Sequence, residues 1–334
     1  MREAGRAGVP AAATRTGRRS GWPRRVVLVL CRIGLALGCL LALVRWTGWD
    51  DGTPLALLVP VLPYATAGAV LMLLTVVALR SWRPAAGAAV LVLVELCWLV
   101  PGFVPRGVAV PAGAPRLTVA TVNTHVAGMD AAALVALVRR EHVDVLAVEE
   151  LTTTAVRDLD AAGLAALLPY REVHPEAGSG LYARLPLSDG GVLRRDTTWP
   201  QPTARVTVAG RVVRLVAVHT FYPLGDPGRW ARDLAALRAE LAADGPDTVL
   251  LGDFNATLDH APMRRLLDAG LLDAAAELGH GRAPTWPADR APLPPLLQLD
   301  HVLHGSGLAA VSTGAHTLPG TDHRAVVAEL ALLP

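Results

Sequence analysis

The chain has 334 residues, of which 52% are hydrophobic, 18% are charged and 4% are aromatic. This composition excludes a disordered chain, and three cysteines are too few for a fold built on a disulfide framework. The formal net charge of +2 hides an asymmetry, because residues 1–106 contain 12 Arg and four acidic residues, whereas residues 107–334 contain 19 Arg and 25 acidic residues. We therefore expect two regions, one suited to lipid and one suited to water.

Three long apolar runs fill the first hundred residues. They cover Val26–Val44, Leu55–Leu79 and Ala85–Val104, and the charges inside them are Arg32 and Glu95. Each run approaches or exceeds the roughly 20 residues that a helix needs to cross a bilayer. The sequence therefore predicts three transmembrane helices over residues 26–104. Glu95, an acidic residue within a span, is a functional candidate whose alternative is a protonated carboxyl or a partner for Arg32.

The distribution of arginine predicts how these helices are oriented. Residues 1–25 contain seven arginines, and the loop at 80–84 contains two more, whereas the loop at 46–54 contains Asp50 and Asp51. Positively charged loops stay on the cytoplasmic side. We therefore expect a multi-pass protein of the cell membrane with a cytoplasmic Arg-rich segment at 1–25 and an extracytoplasmic outer domain. A twin-arginine export signal at Arg18 and Arg19 is the less favoured alternative.

The chain beyond the third span has the pattern of an α/β domain. Residues 105–115 are rich in Pro, Gly and Ala and predict a linker. Predicted strands follow at 117–122, 144–148, 205–208, 212–218, 248–251, 297–303 and 325–330, with predicted helices at 131–140, 155–168 and 227–242. Antiparallel hairpins mixed with helices predict two sheets covered by helices over residues 116–334.

Polar residues stand where these strands end. In Gly252-Asp253-Phe254-Asn255, side-chain alternation places Asp253 and Asn255 on one face and Phe254 toward the core. Such oxygen ligands suit a hard cation such as Mg²⁺, and the simpler alternative is an Asx turn. Comparable polar strand ends occur at Asn123, Glu149, Glu150, His219, Asp300, Asp322 and His323. Six strand ends with polar residues in one chain are unlikely to arise by chance, which favours a single site that contains all of them.

The ordered set of motifs resembles the endonuclease/exonuclease/phosphatase superfamily, the metal-dependent phosphoesterases related to DNase I, inositol polyphosphate 5-phosphatases and sphingomyelinases. The motifs are Thr121–Asn123, Val148–Leu151, Ser179–Pro186, Val218–Thr220, Gly252–Asn255, Leu299–His301 and Thr321–His323. The resemblance implies an α/β fold, a four-layer α/β/β/α sandwich of the DNase I type, with the site at the mouth between the sheets.

The resemblance also implies roles for single residues. Glu150 corresponds to the principal ligand of Mg²⁺ (or Mn²⁺), supported by Asn123 and Asp322. Asp253 and Asn255 correspond to the pair that orients the attacking water and holds the phosphate. His323 corresponds to the imidazole that faces the phosphoryl group, and Asp300 orients it. His219 corresponds to a second histidine that donates a hydrogen bond to the phosphate or the leaving oxygen. Two positions depart from the family. Glu149 replaces a usual Gln and is expected to add a negative charge, and Thr321 replaces a usual Ser and keeps the hydroxyl.

Charge and anchoring guide the prediction of the substrate. The outer domain has a net charge of −6, whereas nucleic-acid binding relies on basic residues. Three spans would bring the domain to lipids at high effective concentration. The arrangement also resembles actinobacterial membrane proteins of the VanJ teicoplanin-resistance type. We therefore expect a phosphoesterase acting on a membrane lipid or lipid-linked phosphate of the cell envelope, and the second resemblance suggests a part in glycopeptide tolerance. The alternatives are an anchored extracellular nuclease and a non-catalytic binding module.

Overall fold

The computed structural model describes residues 21–126, 128–241 and 245–334. Most of the predicted Arg-rich segment at 1–25 lies outside these residues. The α-helices are α1 Gly21–Thr47, α2 Leu62–Ala78, α3 Trp82–Leu99, α4 Ala131–Arg140, α5 Thr153–Ala161, α6 Leu164–Leu167, α7 Pro227–Leu241, α8 Ala261–Leu267 and α9 Ala274–Glu277. The strands are β1 Arg116–Asn123, β2 Val145–Glu149, β3 Tyr170–His174, β4 Ser179–Ala183, β5 Leu187–Val192, β6 Pro202–Val208, β7 Arg211–His219, β8 Thr248–Asp253, β9 Leu272–Asp273, β10 Asp300–His304, β11 Leu308–Thr317 and β12 Arg324–Leu332.

Three helical segments are long and apolar enough to cross a membrane, as the sequence predicts. They cover Trp22–Thr47, Pro54–Ala78 and Trp82–Phe103. The second begins with two 3₁₀ turns, Pro54–Leu57 and Val59–Val61, before α2. Glu95 is buried in the bundle, and neither of its carboxylate oxygens has a hydrogen-bond partner among the described residues. The predicted orientation of the bundle stays a prediction.

Two six-stranded mixed sheets pack face to face in the outer domain. The first, sheet A, has the order β11-β12-β1-β2-β4-β3, and the second, sheet B, has the order β5-β6-β7-β8-β10-β9. Apolar side chains of both sheets fill the space between them. Helices α4 to α6 cover sheet A, and α7 and α8 cover sheet B. This arrangement confirms the predicted four-layer α/β/β/α sandwich.

Strand register brings the polar strand ends together. In sheet A, β1 and β2 are parallel and Asn123 pairs with Glu149. In sheet B, β7 and β8 are parallel and His219 pairs with Asp253, while antiparallel β10 places Asp300 opposite Asp253. Carboxyl ends of parallel strands meet at one edge of a sheet, so each sheet presents its polar ends at the same mouth.

Some elements differ from the prediction. The helix predicted over 155–168 is divided into α5 and α6, because Gly163 takes a left-handed φ of 93° between them. The strand predicted from Leu297 begins at Asp300, since Leu297 only forms an isolated bridge with Trp286. Strands β3, β4, β5, β9 and β11 were not predicted as strands. Residues 105–115 contain no helix or strand.

The α/β domain packs directly on the apolar helical segments through the side of sheet B. The buried Asp50 carboxylate accepts a hydrogen bond from the Ala261 N–H at 2.7 Å, and the Ala56 carbonyl lies 3.0 Å from His260 Nε2. Ala56 also joins the apolar core under α7 and α8. The loop between the first two apolar segments and the first turn of the second segment are therefore part of the layer that covers sheet B, although the sequence suggested two regions joined only by a linker.

Candidate active site

The site lies at the mouth where the polar ends of the two sheets face each other. Asn123, at the end of β1, is 1% exposed and reaches across from sheet A to sheet B. Its amide Nδ2 donates to Asp253 Oδ2 at 3.2 Å and to Glu150 Oε1 at 3.1 Å. Glu150 directly follows β2 with a left-handed φ of 52°, a conformation that a non-glycine residue adopts at an energetic cost. That turn directs Glu150 into the mouth.

A second contact between the sheets joins His323 to Asp300. His323 Nδ1 lies 2.8 Å from Asp300 Oδ2, and its Nε2 faces Asp253 Oδ2 at 3.8 Å. Although burial of His323 opposes its protonation, the carboxylates of Asp300 and Asp253 raise the pKa of His323 to about 10. The imidazole is therefore a cation at neutral pH, oriented by Asp300 as the resemblance implies.

Asp253 and Asn255 are fixed by short-range hydrogen bonds at the end of β8. Asp253 Oδ1 accepts the Asn255 backbone N–H at 2.8 Å. The Asn255 side chain donates to the Thr220 carbonyl at 3.1 Å, and Asn255 takes a φ of 47°. Burial raises the pKa of Asp253, partly offset by His323. Asp253 is thereby closer to the neutral range in which a carboxylate accepts a proton effectively.

The imidazole of His219 differs from that of His323, because its surroundings favour the uncharged form. Burial lowers the pKa of its imidazole to about 4, and the positive charge on His323 acts in the same direction. The ring of Trp199 stacks on it with the centroids 4.5 Å apart. Gln201 fixes the backbone, because its Oε1 accepts the His219 N–H at 2.6 Å and its Nε2 donates to the His219 carbonyl at 2.9 Å. A neutral imidazole can donate a hydrogen bond without adding charge.

Asp322 lies on the rim, with 23% of its side chain exposed. Its Oδ2 accepts a hydrogen bond from Trp286 Nε1 at 3.0 Å, and its Oδ1 is 3.9 Å from His125 Nδ1. The neighbouring Thr321 keeps the expected hydroxyl function, since its Oγ1 donates to the Asn123 carbonyl at 2.7 Å and accepts the His323 N–H at 3.1 Å. This hydroxyl ties the His323 segment to the end of β1.

The expectation that Glu149 adds a negative charge is corrected by its surroundings. Glu149 is completely buried, and both of its carboxylate oxygens accept from the Thr121 hydroxyl at 2.9 and 3.0 Å. Burial, followed by the charge of Asp300, raises the pKa of Glu149 well above its ordinary value. This shift favours the neutral acid, which has nearly the shape of the Gln usual at this position, and so opposes the expected negative charge.

The donor set fits a hard divalent cation. Asp253, Asp300 and His323 are buried, and polar atoms of the three lie within 4.8 Å of one another. The two carboxylates can bind a cation, whereas the protonated His323 ring has no free lone pair and serves as a hydrogen-bond donor beside them. Asp300 Oδ1 is buried without a hydrogen-bond partner, so it is available as a ligand. All three were predicted as catalytic, while the predicted metal ligands Asn123, Glu150 and Asp322 border the group. Carboxylate oxygens select Mg²⁺ or Mn²⁺ over softer metals. Which residues bind the ion, and whether it is Mg²⁺, remain predictions.

Sequence reasoning missed several residues that support the site. Gln201, Trp199 and His125 stand in connecting segments without a motif, and their contacts arise only from the folding of those segments. Trp286 also stands outside the motifs, and its indole donates a hydrogen bond to Asp322. Thr121 stood within a quoted motif, and strand alternation from Asn123 could have indicated its direction.

Comparisons with known proteins agree with this geometry. The sequence model of the Endonuclease/Exonuclease/phosphatase family matches residues 120–323. A sequence search of curated proteins gave no significant match.

Three solved structures illustrate the similarity in fold. Danio rerio TDP2 complexed with single-strand DNA product is 16% identical with a TM-score of 0.54, and the alignment covers 64% of this chain and 98% of that one. A functionally unknown conserved protein from Enterococcus faecalis V583 is 17% identical with a TM-score of 0.52, covering 65% and 100%. An endonuclease/exonuclease/phosphatase family protein from Bacteroides thetaiotaomicron is 13% identical with a TM-score of 0.52, covering 66% and 98%.

The family match spans well over half of the chain and includes every residue of the site described above. Members of this family are metal-dependent phosphoesterases and nucleases, which agrees with the buried carboxylates and imidazole at the mouth. The chain belongs to the endonuclease/exonuclease/phosphatase family.

Proposed function

We propose that this protein is a membrane-anchored, extracytoplasmic phosphoesterase that hydrolyses a phosphate ester carried by a lipid of the cell envelope. The observation that carries the proposal is the buried group of Asp253, Asp300 and His323, whose polar atoms lie within 4.8 Å of one another at the mouth between the sheets. Such a group serves chemistry better than stability, because burying several charges in one place is costly.

Each residue has a role that its surroundings support. A divalent cation held by Asp300, Glu150 and their neighbours would neutralise phosphate oxygens and stabilise the leaving oxygen. Asp253, with its raised pKa, accepts a proton from the attacking water, and Asn255 positions that water beside it. His323, protonated and oriented by Asp300, donates to a phosphoryl oxygen, and neutral His219 donates to the phosphate or the leaving oxygen.

Two observations support a lipid substrate: the apolar helices that precede the catalytic domain, and the net negative charge of that domain. Three apolar helices precede the domain and contact it, so the mouth stays near lipid if the helices span a membrane. The outer domain has a net charge of −6, which disfavours a nucleic-acid backbone. Arginines in pairs, such as Arg194 and Arg195, are too isolated to follow a phosphate chain.

The test is a substrate panel on the full-length protein in lipid nanodiscs. The panel contains a lipid monophosphate, a lipid pyrophosphate, a phosphodiester lipid and plasmid DNA, each with Mg²⁺, with Mn²⁺ and with EDTA. We expect phosphate release from a lipid substrate that requires the metal. Metal-dependent cleavage of DNA alone would establish the nuclease alternative, and binding without turnover of any substrate would establish a non-catalytic module.

A part in glycopeptide tolerance is the physiological side of this proposal. It is supported by the arrangement of an Arg-rich N-terminus, three apolar helices and an outer phosphoesterase domain. Expression of the wild-type protein in a glycopeptide-sensitive actinobacterial host should raise the inhibitory concentration of teicoplanin. Expression of the Asp253→Ala variant at equal membrane abundance is the control, and an equal rise with both proteins would refute a catalytic role in tolerance.

A further inference from the structure

The loop at 286–297 joins the active site to the membrane helices. Trp286 and Leu297 pair at its base, and the Trp286 indole donates to Asp322 in the site. Next to Leu297, the Leu296 N–H donates to the Trp286 carbonyl at 2.8 Å, and the Leu296 carbonyl accepts a hydrogen bond from the Tyr64 hydroxyl at 2.7 Å. Tyr64 is the third residue of α2 and lies inside the candidate span Pro54–Ala78, so the loop touches a segment that is apolar enough to cross a membrane.

The loop exposes apolar side chains at this level. Leu293 is 64% exposed and Leu296 is 48% exposed. Leu57, Leu58 and Val61, which precede Tyr64 in the same apolar segment, are between 42% and 50% exposed as well. An exposed apolar patch next to membrane helices is typical of a surface that contacts lipid.

The backbone of the loop also suits a lipid interface. Four of its twelve residues are proline, at positions 287, 292, 294 and 295. Proline has no backbone N–H, so these positions carry no donor that must be satisfied when water is removed. Arg290 is close to Leu293, whose N–H donates to the Arg290 carbonyl at 2.8 Å, but its guanidinium lies over the Trp286 ring, 5.8 Å from the centroid.

We propose that the 286–297 loop rests in the headgroup layer of the outer leaflet, with Leu293 and Leu296 directed to the acyl chains. The mouth then opens at the bilayer surface and takes its substrate from the membrane. The membrane contact stands on the loop alone, whereas the entry of substrate rests on the proposed function. Because the Trp286 indole donates a hydrogen bond to Asp322, binding of the loop to the bilayer is linked to the position of Asp322 at the rim of the site.

Fluorescence tests the membrane contact without any activity. Cys31, Cys39 and Cys97 are replaced by Ala, and an NBD fluorophore is attached at Leu293→Cys in full-length protein in phosphatidylethanolamine/phosphatidylglycerol vesicles. The control is Val212→Cys, which is 51% exposed at the start of β7, about 25 Å of strand away from His219. We expect blue-shifted emission and quenching by nitroxide lipids at 293 and not at 212. Equal emission and quenching at both positions would overturn the proposal.

Activity tests the entry of substrate. The Leu293→Asp/Leu296→Asp double variant is compared with Val212→Asp on a lipid phosphate in vesicles and on soluble bis(p-nitrophenyl) phosphate. We expect kcat/KM for the lipid to fall roughly tenfold or more in the double variant alone, because charged side chains leave the interface. We expect the soluble substrate to be unaffected within about twofold, which shows that the site is intact.

The two outcomes that contradict the proposals differ from each other. An equal loss on both substrates would mean that the loop only supports the site, which refutes entry from the membrane. Absence of turnover of any substrate by the wild type would refute the proposed function, while the fluorescence measurement would still decide whether the loop contacts the bilayer.

Discussion

The two sheets contribute to the same site but are held in different ways. Sheet A supplies Asn123 and Glu150 and borders His323, and its outer helices pack on the sheet and on one another in the apolar core that they form. Sheet B supplies His219, Asp253 and Asp300, and the layer that covers it includes Ala56 from the start of the second apolar segment. Half of the site is thus attached to the apolar helical segments, and the other half is joined to it by contacts across the mouth.

This difference shows that the α/β domain cannot be separated from the apolar segments without losing buried contacts. Asp50 and Ala56 contribute a buried hydrogen-bond acceptor and a core contact to the layer over sheet B. A fragment that begins after the third span lacks both residues. Experiments on this protein should therefore use the full chain, although the sequence alone suggests that the outer domain is separable at the linker.

The largest effect is expected when one catalytic side chain is removed from each side of the mouth, His323 next to sheet A and Asp253 on sheet B. His323→Ala and Asp253→Ala should each lower kcat/KM for metal-dependent phosphate release by about 10²- to 10⁴-fold. Because the two groups act as one unit, the double variant should lose little more than either single variant. The measurement is steady-state release of phosphate, with Asp189→Ala, an exposed carboxylate on β5, as the control. Additive losses would show that the two sheets act independently.

The next largest effect concerns the attachment of sheet B. Asp259 is 1% exposed and pairs with Arg45 of α1 and with Arg282. Asp259→Ala leaves two arginines without their partner and should lower the free energy of unfolding by about 3–5 kcal/mol. The matched variant on sheet A is Glu329→Ala, which breaks an exposed pair with Arg116 and should cost at most about 1 kcal/mol. Chemical denaturation in detergent measures both, and equal losses would contradict the asymmetry.

The effect of Asp300 on the charge of His323 can be tested by titrating the imidazole ring. Asp300→Asn removes the carboxylate that raises the pKa of His323, while burial continues to lower it, so this pKa should fall from about 10 toward or below 6.5. NMR of the imidazole ring measures the change. If the protonated ring is the active form, the alkaline limb of the kcat/KM profile should move to lower pH in the variant. An unchanged ring pKa would mean that Asp300 does not control its charge.

The smallest effect is expected at Glu149. Since burial favours the neutral carboxyl, Glu149→Gln keeps the shape and the favoured charge state and should change kcat/KM by less than about twofold at pH 7. Glu149→Ala is the contrasting variant, because it leaves the buried Thr121 hydroxyl without its acceptor and should cost about 1–3 kcal/mol of stability. A large loss of activity in Glu149→Gln would show that a negative charge is required there.

Local patterns predicted most of the elements that position the site. Helix α4 has the predicted bounds. The Asp130 side chain caps its first turn, and apolar residues recur along the helix with helical spacing on one buried face. The predicted strands at 117–122 and 248–251 correspond to β1 and β8, because their buried apolar runs end at polar residues. Strands β3, β5 and β11 were missed, since each is largely exposed or irregular and lacks the alternation that indicates a strand.

The sequence by itself determined the three apolar helices, the sandwich and the residue types at the strand ends, because these depend on hydropathy, periodicity and short motifs. Only the tertiary structure decided that Glu149 turns inward to Thr121, that Gln201 and Trp199 hold His219, and that Ala56 completes a core on sheet B. The physical reason is that burial, pKa shifts and contacts between distant segments arise from packing in space, which a linear pattern does not contain.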